Sequence, residues 1–289
     1  MLVEGENLVT SDKSTGLGIV ELATTFDNLK PDIVLSVADR YETIATAIAA
    51  SYINIPVAHV QGGEVTGSID EKVRHAVTKL SDLHLVSNSH AEDRVMRMGE
   101  APDTVFVTGC PSIDLAARIQ VEDTSGFDVY SVEGGNGVGH AFDPKNGYII
   151  VMQHPVTTEH VEAADQAQTT MEAVLELGLP TFWFWPNVDA GSDATSKVLR
   201  QYRENNDPKN LYFLKNLSPE NFLRLLKGAR CMIGNSSAGI RECAYLGVPT
   251  VNIGTRQSGR ERAENVTDVE YDKAAIVEAI NRQMTHGPY

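Results

Sequence analysis

The chain is poor in cysteine, in long apolar runs and in positive charge. Its three cysteines, Cys110, Cys231 and Cys243, have no paired spacing, so neither a disulfide framework nor a zinc site is indicated. No run approaches the roughly 18 apolar residues that a membrane-spanning helix needs, and the start, MLVEGEN, carries glutamates and no signal-peptide core. With 24 Lys and Arg against 39 Asp and Glu, the net charge of −15 argues against a nucleic-acid or anionic-membrane partner. A few local arginines and backbone N–H groups could still hold a nucleotide. There is no Gly-x-x-x-x-Gly-Lys-Ser/Thr loop and no Gly-x-Ser-x-Gly elbow, so P-loop NTP hydrolysis and serine-esterase chemistry drop out. What remains is a chain of globular composition, 42% hydrophobic and 22% charged, expected to be cytoplasmic. Its 289 residues suffice for two domains.

Short apolar runs alternate with helical patterns along most of that length. Strands are expected at 33–37, 56–60, 83–86 and 105–107, with helices at 17–29, from about 42 to 53, at 70–80 and at 89–98, the last capped by Ser89. Residues 118–147 break the rhythm. They are rich in Gly, Ser and Asp, and Gly-Gly-Asn-Gly-Val-Gly at 134–139 neither follows a convincing strand nor opens a helix, so a loop between domains is expected. Alternation then resumes, with strands at 148–152, 181–185, 211–214, 231–233 and 248–253, a Ser218-Pro219 helix start and a last helix near 273–284. This pattern specifies an α/β fold with parallel, helix-covered sheets. The expected architecture is two Rossmann-like domains, 1–117 and 148–289, facing one another across a cleft.

In such sheets ligands bind beyond the carboxyl ends of the strands, and polar residues concentrate there. The segment 231–262, CMIGNSSAGIRECAYLGVPTVNIGTRQSGRER, reads as one βαβ unit. Ser236 or Ser237 can cap its helix, leaving N–H groups and the positive end of the helix dipole for a phosphate, and Glu242 could accept from ribose hydroxyls. On spacing alone Asn-Ser-Ser is equally a plain helix cap. The loop beyond carries Arg256, Arg260 and Arg262, which suit a diphosphate. In the first half, Asp39, Arg40, Glu42, Gln61, Glu64 and Asp70 follow consecutive strand ends, and His154 does so in the second. Taken singly, each acid reads as an ion pair or a helix-start charge. As a group, carboxylates in one cleft can have their pKa values pushed apart into a general acid and a general base.

Together the segments LKPDIVLSVADRYE, HVQGGEVTGSIDEKVRHAVTKLSDLH, TGCPSID, QHPVTT, PNVDAGS, MIGNSSAGIRE and VNIGTRQSGRERAENV resemble the UDP-N-acetylglucosamine 2-epimerases. The resemblance is to the hydrolysing branch of sialic acid synthesis, including the epimerase domain of the animal bifunctional epimerase/kinase. It implies the glycosyltransferase-B fold, with UDP-N-acetylglucosamine as partner and no metal or redox cofactor. The implied reaction eliminates UDP with loss of the C2 proton and hydrates the 2-acetamidoglucal to N-acetylmannosamine. Family dimers and tetramers imply a homo-oligomer. Asp39 and Asp70 match acids of the family and His154 its diphosphate-contacting histidine. Ser236, Ser237 and Glu242 match the phosphate and ribose contacts, and Arg256 the basic residue beyond them.

Gln61 stands where several relatives have a catalytic glutamate. Glutamine cannot exchange a proton as an acid or base, so Glu64 takes over, Asp39 and Asp70 suffice, or catalysis is impaired. The resemblance also implies about two further βα units before the first residue, roughly 60–80 residues, so the chain is expected to be N-terminally truncated with a hydrophobic sheet edge uncovered. Alternatives are a reversible UDP-GlcNAc/UDP-ManNAc epimerase, a relative acting on a bacillosamine-type or GDP-linked sugar, a glycosyltransferase on the same fold, and a non-catalytic nucleotide-binding remnant.

Overall fold

A computed structural model of the chain describes residues 8–37, 39–67, 69–187 and 190–289. The start MLVEGEN and Ala38, Ser68, Val188 and Asp189, which fall in segments singled out above, lie outside the described residues. The chain divides into two compact units, Met1–Pro111 and Ser112–Tyr289.

The first unit runs α1 (Leu8–Leu29), β1 (Val34–Val37), α2 (Tyr41–Tyr52), β2 (Val57–Val60), α3 (Ile69–Lys79), β3 (Leu83–Val86), α4 (Ser89–Arg97) and β4 (Val105–Val107). Its four strands are parallel and lie in sequence order. Parallel neighbours need a crossover long enough for a helix, so every strand is followed by a polar loop at the same edge. Phe26, Val34, Ala49, Ala50 and Val57 form one core cluster, and Val86, Ala91, Val95 and Val105 another under α4. Helix α1 already covers Leu8, well before the periodicity becomes regular near residue 17. The cap of α4 is Asn88, not Ser89: Asn88 is extended at φ −159° and its side chain accepts from the Ala91 N–H at 2.9 Å. Strand β1 is an edge strand, on which Leu35 and Val37 are 59% and 48% exposed.

The second unit contains α5 (Pro111–Val121), β5 (Val138–Gly139), β6 (Ile149–Met152), α6 (Ala163–Leu177), β7 (Thr181–Phe184), α7 (Ser192–Asn206), β8 (Leu211–Leu214), α8 (Pro219–Lys227), β9 (Cys231–Gly234), α9 (Ser237–Ile240), α10 (Glu242–Leu246), β10 (Thr250–Ile253), β11 (Val266–Val269) and α11 (Lys273–His286). The sheet order is β11-β10-β9-β6-β7-β8-β5, and only β5 is antiparallel to its neighbour. From β6 the chain moves outward through β7 and β8, then returns to the other side of β6 with β9. The β6/β9 pair is therefore the topological switch point, where an open parallel sheet leaves a crevice beyond its strand ends. The expected strands are present because their apolar runs are buried on both faces; every residue of β7, β8, β9 and β10 is buried.

Residues 118–147 are not a free loop between the units. Helix α5 continues to Val121, and the Lys227 ammonium donates to the carbonyls of Ile119, Gln120 and Glu122 at 3.1, 3.0 and 2.8 Å, closing its C-terminal end. Arg224 donates to both carboxylate oxygens of Glu122, at 2.6 and 3.1 Å. Val129 is buried in the main core, Tyr130 meets Tyr212 edge to face at 4.9 Å, and β5 extends the sheet beside β8. The Tyr212 hydroxyl accepts from the Gly137 N–H and donates to the Gly135 carbonyl, at 2.9 and 3.1 Å. The small residues of this segment let the backbone lie against the sheet edge, a tertiary reason that composition reads as flexibility.

Among the described residues no helix is long and apolar enough to cross a membrane. If residues 122–147 belong to the second unit's core, Val129→Ala removes two buried methyl groups and lowers stability by about 1–2 kcal/mol. Urea denaturation measures this, and an unchanged midpoint would mean that the segment does not pack.

Candidate functional site

In the first unit the polar loops beyond β1 and β2 are joined by Arg74, on α3. Its side chain is only 1% exposed, yet carries a full charge, so it must be paired. One guanidinium nitrogen donates to Asp39 just past β1, and the other to the Glu64 carbonyl beyond β2 at 2.8 Å. The Glu64 carboxylate accepts from the Ser87 hydroxyl at 3.1 Å, past the end of β3. Asp70 lies one turn before Arg74 on the same helix. Three of the expected acids are thus tied to one helix and three consecutive strand ends. Arg74 was not singled out from the sequence. The available clue was its place four residues after Asp70, in step with buried Val77 and Thr78, where an apolar residue would be ordinary.

Gln61 adopts the left-handed region, φ 64°, and its side-chain amide donates to the Cys110 sulfur at 2.9 Å. The two glycines after it pack closely against the protein itself. At Gly63, φ 79°, a Cβ would stand 2.4 Å from the Ala91 carbonyl oxygen, so the close approach is to α4 of the protein itself. Arg94 also donates to the Gly63 carbonyl, which fixes the loop. Arg40 and Glu42 pair at 3.5 Å on the surface, as the plain reading of those charges has it.

In the second unit the loops meet at the β6/β9 switch point, and Asn235 joins them. It is fully buried. Its side-chain oxygen accepts from the His154 N–H at 2.8 Å while its amide donates to the His154 carbonyl at 2.7 Å. Its own N–H donates to the Met152 carbonyl, and its carbonyl accepts from Arg256 at 3.2 Å and Gln257 at 2.8 Å. The preceding Gly234, φ 123°, permits this: a Cβ there would lie 2.3 Å from the Met152 oxygen. The Asn187 N–H donates to His154 Nδ1 at 3.2 Å, an arrangement that places the ring proton on Nε2. Gln153 donates to the Tyr271 hydroxyl at 2.6 Å, and burial pushes that phenol up to about 12.

Ser236 is the helix cap, its hydroxyl accepting from the Ala238 N–H, and Ser237 accepts from Arg241 at 3.2 Å. The expected single helix is broken at Arg241 (φ −104°, ψ −71°), so Glu242 opens a second short helix, α10, rather than lying on the capped one. Glu242 is 7% exposed; its Oε2 has no hydrogen-bond partner among the described residues and lies 3.9 Å from the Arg241 guanidinium. A buried carboxylate oxygen left without a donor is costly and suits a ligand hydroxyl. Of the three loop arginines, Arg262 is spent within the protein: it pairs with Asp268 at 3.1 Å and donates to the Gln257 and Arg260 carbonyls. Arg256 is half-buried beside Asn235. Cys231 is buried and its thiol pushed up to about 12, which leaves it unreactive at neutral pH.

The family model for UDP-N-acetylglucosamine 2-epimerase matches residues 1–287. The chain belongs to that family. It is 36% identical over 274 residues to the UDP-N,N'-diacetylbacillosamine 2-epimerase (hydrolyzing) of Legionella pneumophila, covering 93% of this chain and 70% of the relative. It is 33% identical to the UDP-N-acetylglucosamine 2-epimerase of Neisseria meningitidis, covering 95% and 69%. The fold is similar, at a TM-score of 0.76 and 19% identity, to the Methanocaldococcus jannaschii UDP-GlcNAc 2-epimerase crystallised with UDP-GlcNAc and UDP, over 95% of this chain and 75% of that one. The epimerase-family chain thus has the α/β, glycosyltransferase-B-like fold that its sequence indicates, with parallel sheets in two domains.

The Asp39–Arg74 pair of this epimerase-family chain should respond unequally to its two deletions. Asp39→Ala strands a buried cation and should cost on the order of 3 kcal/mol, whereas Arg74→Met leaves a carboxylate that already reaches solvent and should cost less. Chemical denaturation compares them, and the reverse order would contradict the pairing.

Proposed function

We propose that this chain is a hydrolysing 2-epimerase acting on UDP-N-acetylglucosamine, giving N-acetylmannosamine and UDP. A base takes the C2 proton while the C1–O bond breaks and UDP leaves with its electron pair, giving 2-acetamidoglucal. Water then adds its oxygen to C1, and C2 is protonated on the face opposite to the one from which its proton was removed, which inverts C2. Asp39, Glu64 and Asp70 are the candidates for these proton transfers. Gln61 cannot exchange a proton in this way, and its role here is hydrogen bonding. His154, Ser236, Ser237 and Arg256 are assigned to the diphosphate, where an Nε2–H, capped-helix N–H groups and a guanidinium are all donors. Glu242 is assigned to the ribose hydroxyls.

The observation that carries this reading is the assembly around Arg74, which fixes Asp39 and the Glu64 loop on the helix that bears Asp70. It is supported by whole-chain similarity to a relative whose name specifies hydrolysis. That same relative favours a second reading, in which the sugar is N,N'-diacetylbacillosamine. The bond changes would be the same, since C1 and C2 carry the same groups, and only the pocket for C4 and C6 would differ.

The test is to incubate the protein with each UDP-sugar and to measure UDP and free sugar. Equal amounts of UDP and a free C2-epimerised 2-acetamido sugar are expected. Conversion to a UDP-linked C2 epimer without UDP release would instead place the chain in the reversible branch. Asp39→Asn, which keeps the shape of the Arg74 contact, should abolish turnover while changing UDP affinity less than about threefold. Surviving turnover would remove Asp39 from the proton transfers.

A further inference from the structure

Three of the four residues assigned to the diphosphate, His154, Ser236 and Arg256, are bonded to or directly follow one buried residue that is not itself assigned to the ligand. Asn235 brackets the His154 peptide with both ends of its side-chain amide, receives Arg256 and Gln257 on its carbonyl, and is followed directly by Ser236. It therefore sets the relative register of the loops beyond β6, β9 and β10. We propose that Asn235 is the positioning residue of the nucleotide site, fixing His154, Ser236 and Arg256 as one rigid anion-binding set; the proposal rests on the assignment of those three residues to the diphosphate.

The amide is used in both senses, as acceptor toward the His154 N–H and as donor toward the His154 carbonyl. Only a side chain with one donor and one acceptor on a planar group of this length satisfies both. Aspartate has the same shape but, when ionised, turns an oxygen toward the His154 carbonyl. The two acceptors then repel each other in a fully buried place. Once protonated, the substituted carboxyl would donate where the amide does and restore the bracket. The charged and titratable groups around this position are His154 beyond β6, Arg256 beyond β10 and the Tyr271 phenol ahead of α11, with Glu159 reaching the same loop through Thr255. Arg256 favours the ionised form; complete burial and the facing carbonyl oppose it, and with the side chain fully enclosed they prevail. The folded-state pKa of an aspartate here is then raised, so Asn235→Asp gains stability and function as pH falls and loses them as pH rises.

The experiment compares wild type, N235D and Asn235→Ser from about pH 8 to about pH 6 by UDP affinity, by melting temperature and by ¹⁵N NMR of the His154 ring without ligand. N235D is expected to bind UDP at least about tenfold more weakly than wild type at the higher pH, with the ratio closing as pH falls. Its melting temperature relative to wild type should rise over the same range. Asn235→Ser, which has no such protonation, should show a loss that does not depend on pH. The His154 ring should leave its Nε2–H tautomer signature in both variants at high pH. A pH-independent N235D/wild-type ratio, or an unmoved His154 ring, would overturn the proposal. If wild type itself binds no UDP, the nucleotide reading fails, while the His154 ring and the melting profile still decide whether Asn235 holds the loop.

Discussion

The constraint on which this structure turns is the pairing of buried polar groups at the carboxyl edges of parallel sheets. Parallel strands send all their outgoing loops to one edge, which concentrates polar backbone and side chains where little water reaches. Each unit meets the demand with an enclosed residue that makes several directional hydrogen bonds. In the first it is the Arg74 guanidinium, whose planar fork reaches Asp39 and the Glu64 carbonyl together. In the second it is Asn235, which serves the loops of three strands. An apolar residue in place of Asn235 would strand the buried His154 N–H and carbonyl.

These two residues account for how a stable scaffold can carry reactive side chains. The candidate acids and the candidate phosphate ligands are short side chains on loops, which would otherwise sample many geometries. Tying a loop to a buried anchor removes that freedom before a ligand arrives, and preorganised donors are worth more than donors that must be ordered on binding. Glu242 shows the complementary case: one buried oxygen has no donor within the described protein, a cost that a ligand hydroxyl would relieve.

Much of the architecture was legible in the sequence because most strands of the second unit's sheet are apolar runs buried on both faces. The runs at Leu211–Leu214 and Thr250–Ile253 are examples, as is the Ser218-Pro219 helix start, whose cap hydroxyl accepts from the Asn221 N–H. Strand β11, Val-Thr-Asp-Val, was missed because it is partly exposed and half polar, so it carries no such run. The break at Arg241 and the packing of residues 122–147 were missed because both are settled by tertiary contacts, with no local cue of Pro or period. The site residues were found by their place after strands. Their anchors were not, since an arginine on a helix and an asparagine before a cap acquire meaning only from partners 35 and 81 residues away in the chain. Arg262 errs in the other direction: its charge suggested a ligand, and Asp268 six residues on had already claimed it.

The proposed activity requires that the protein loosen the hydrogen at C2 of a UDP-linked 2-acetamido sugar. The measurement that tests it most directly is proton NMR of UDP-N-acetylglucosamine turned over by the protein in deuterated water. Free N-acetylmannosamine with deuterium at C2 is the predicted product, because the proton removed during elimination is lost to solvent and replaced from it. A free sugar released with its original C2 hydrogen and configuration would show simple hydrolysis of the glycosyl phosphate, and would contradict the claim.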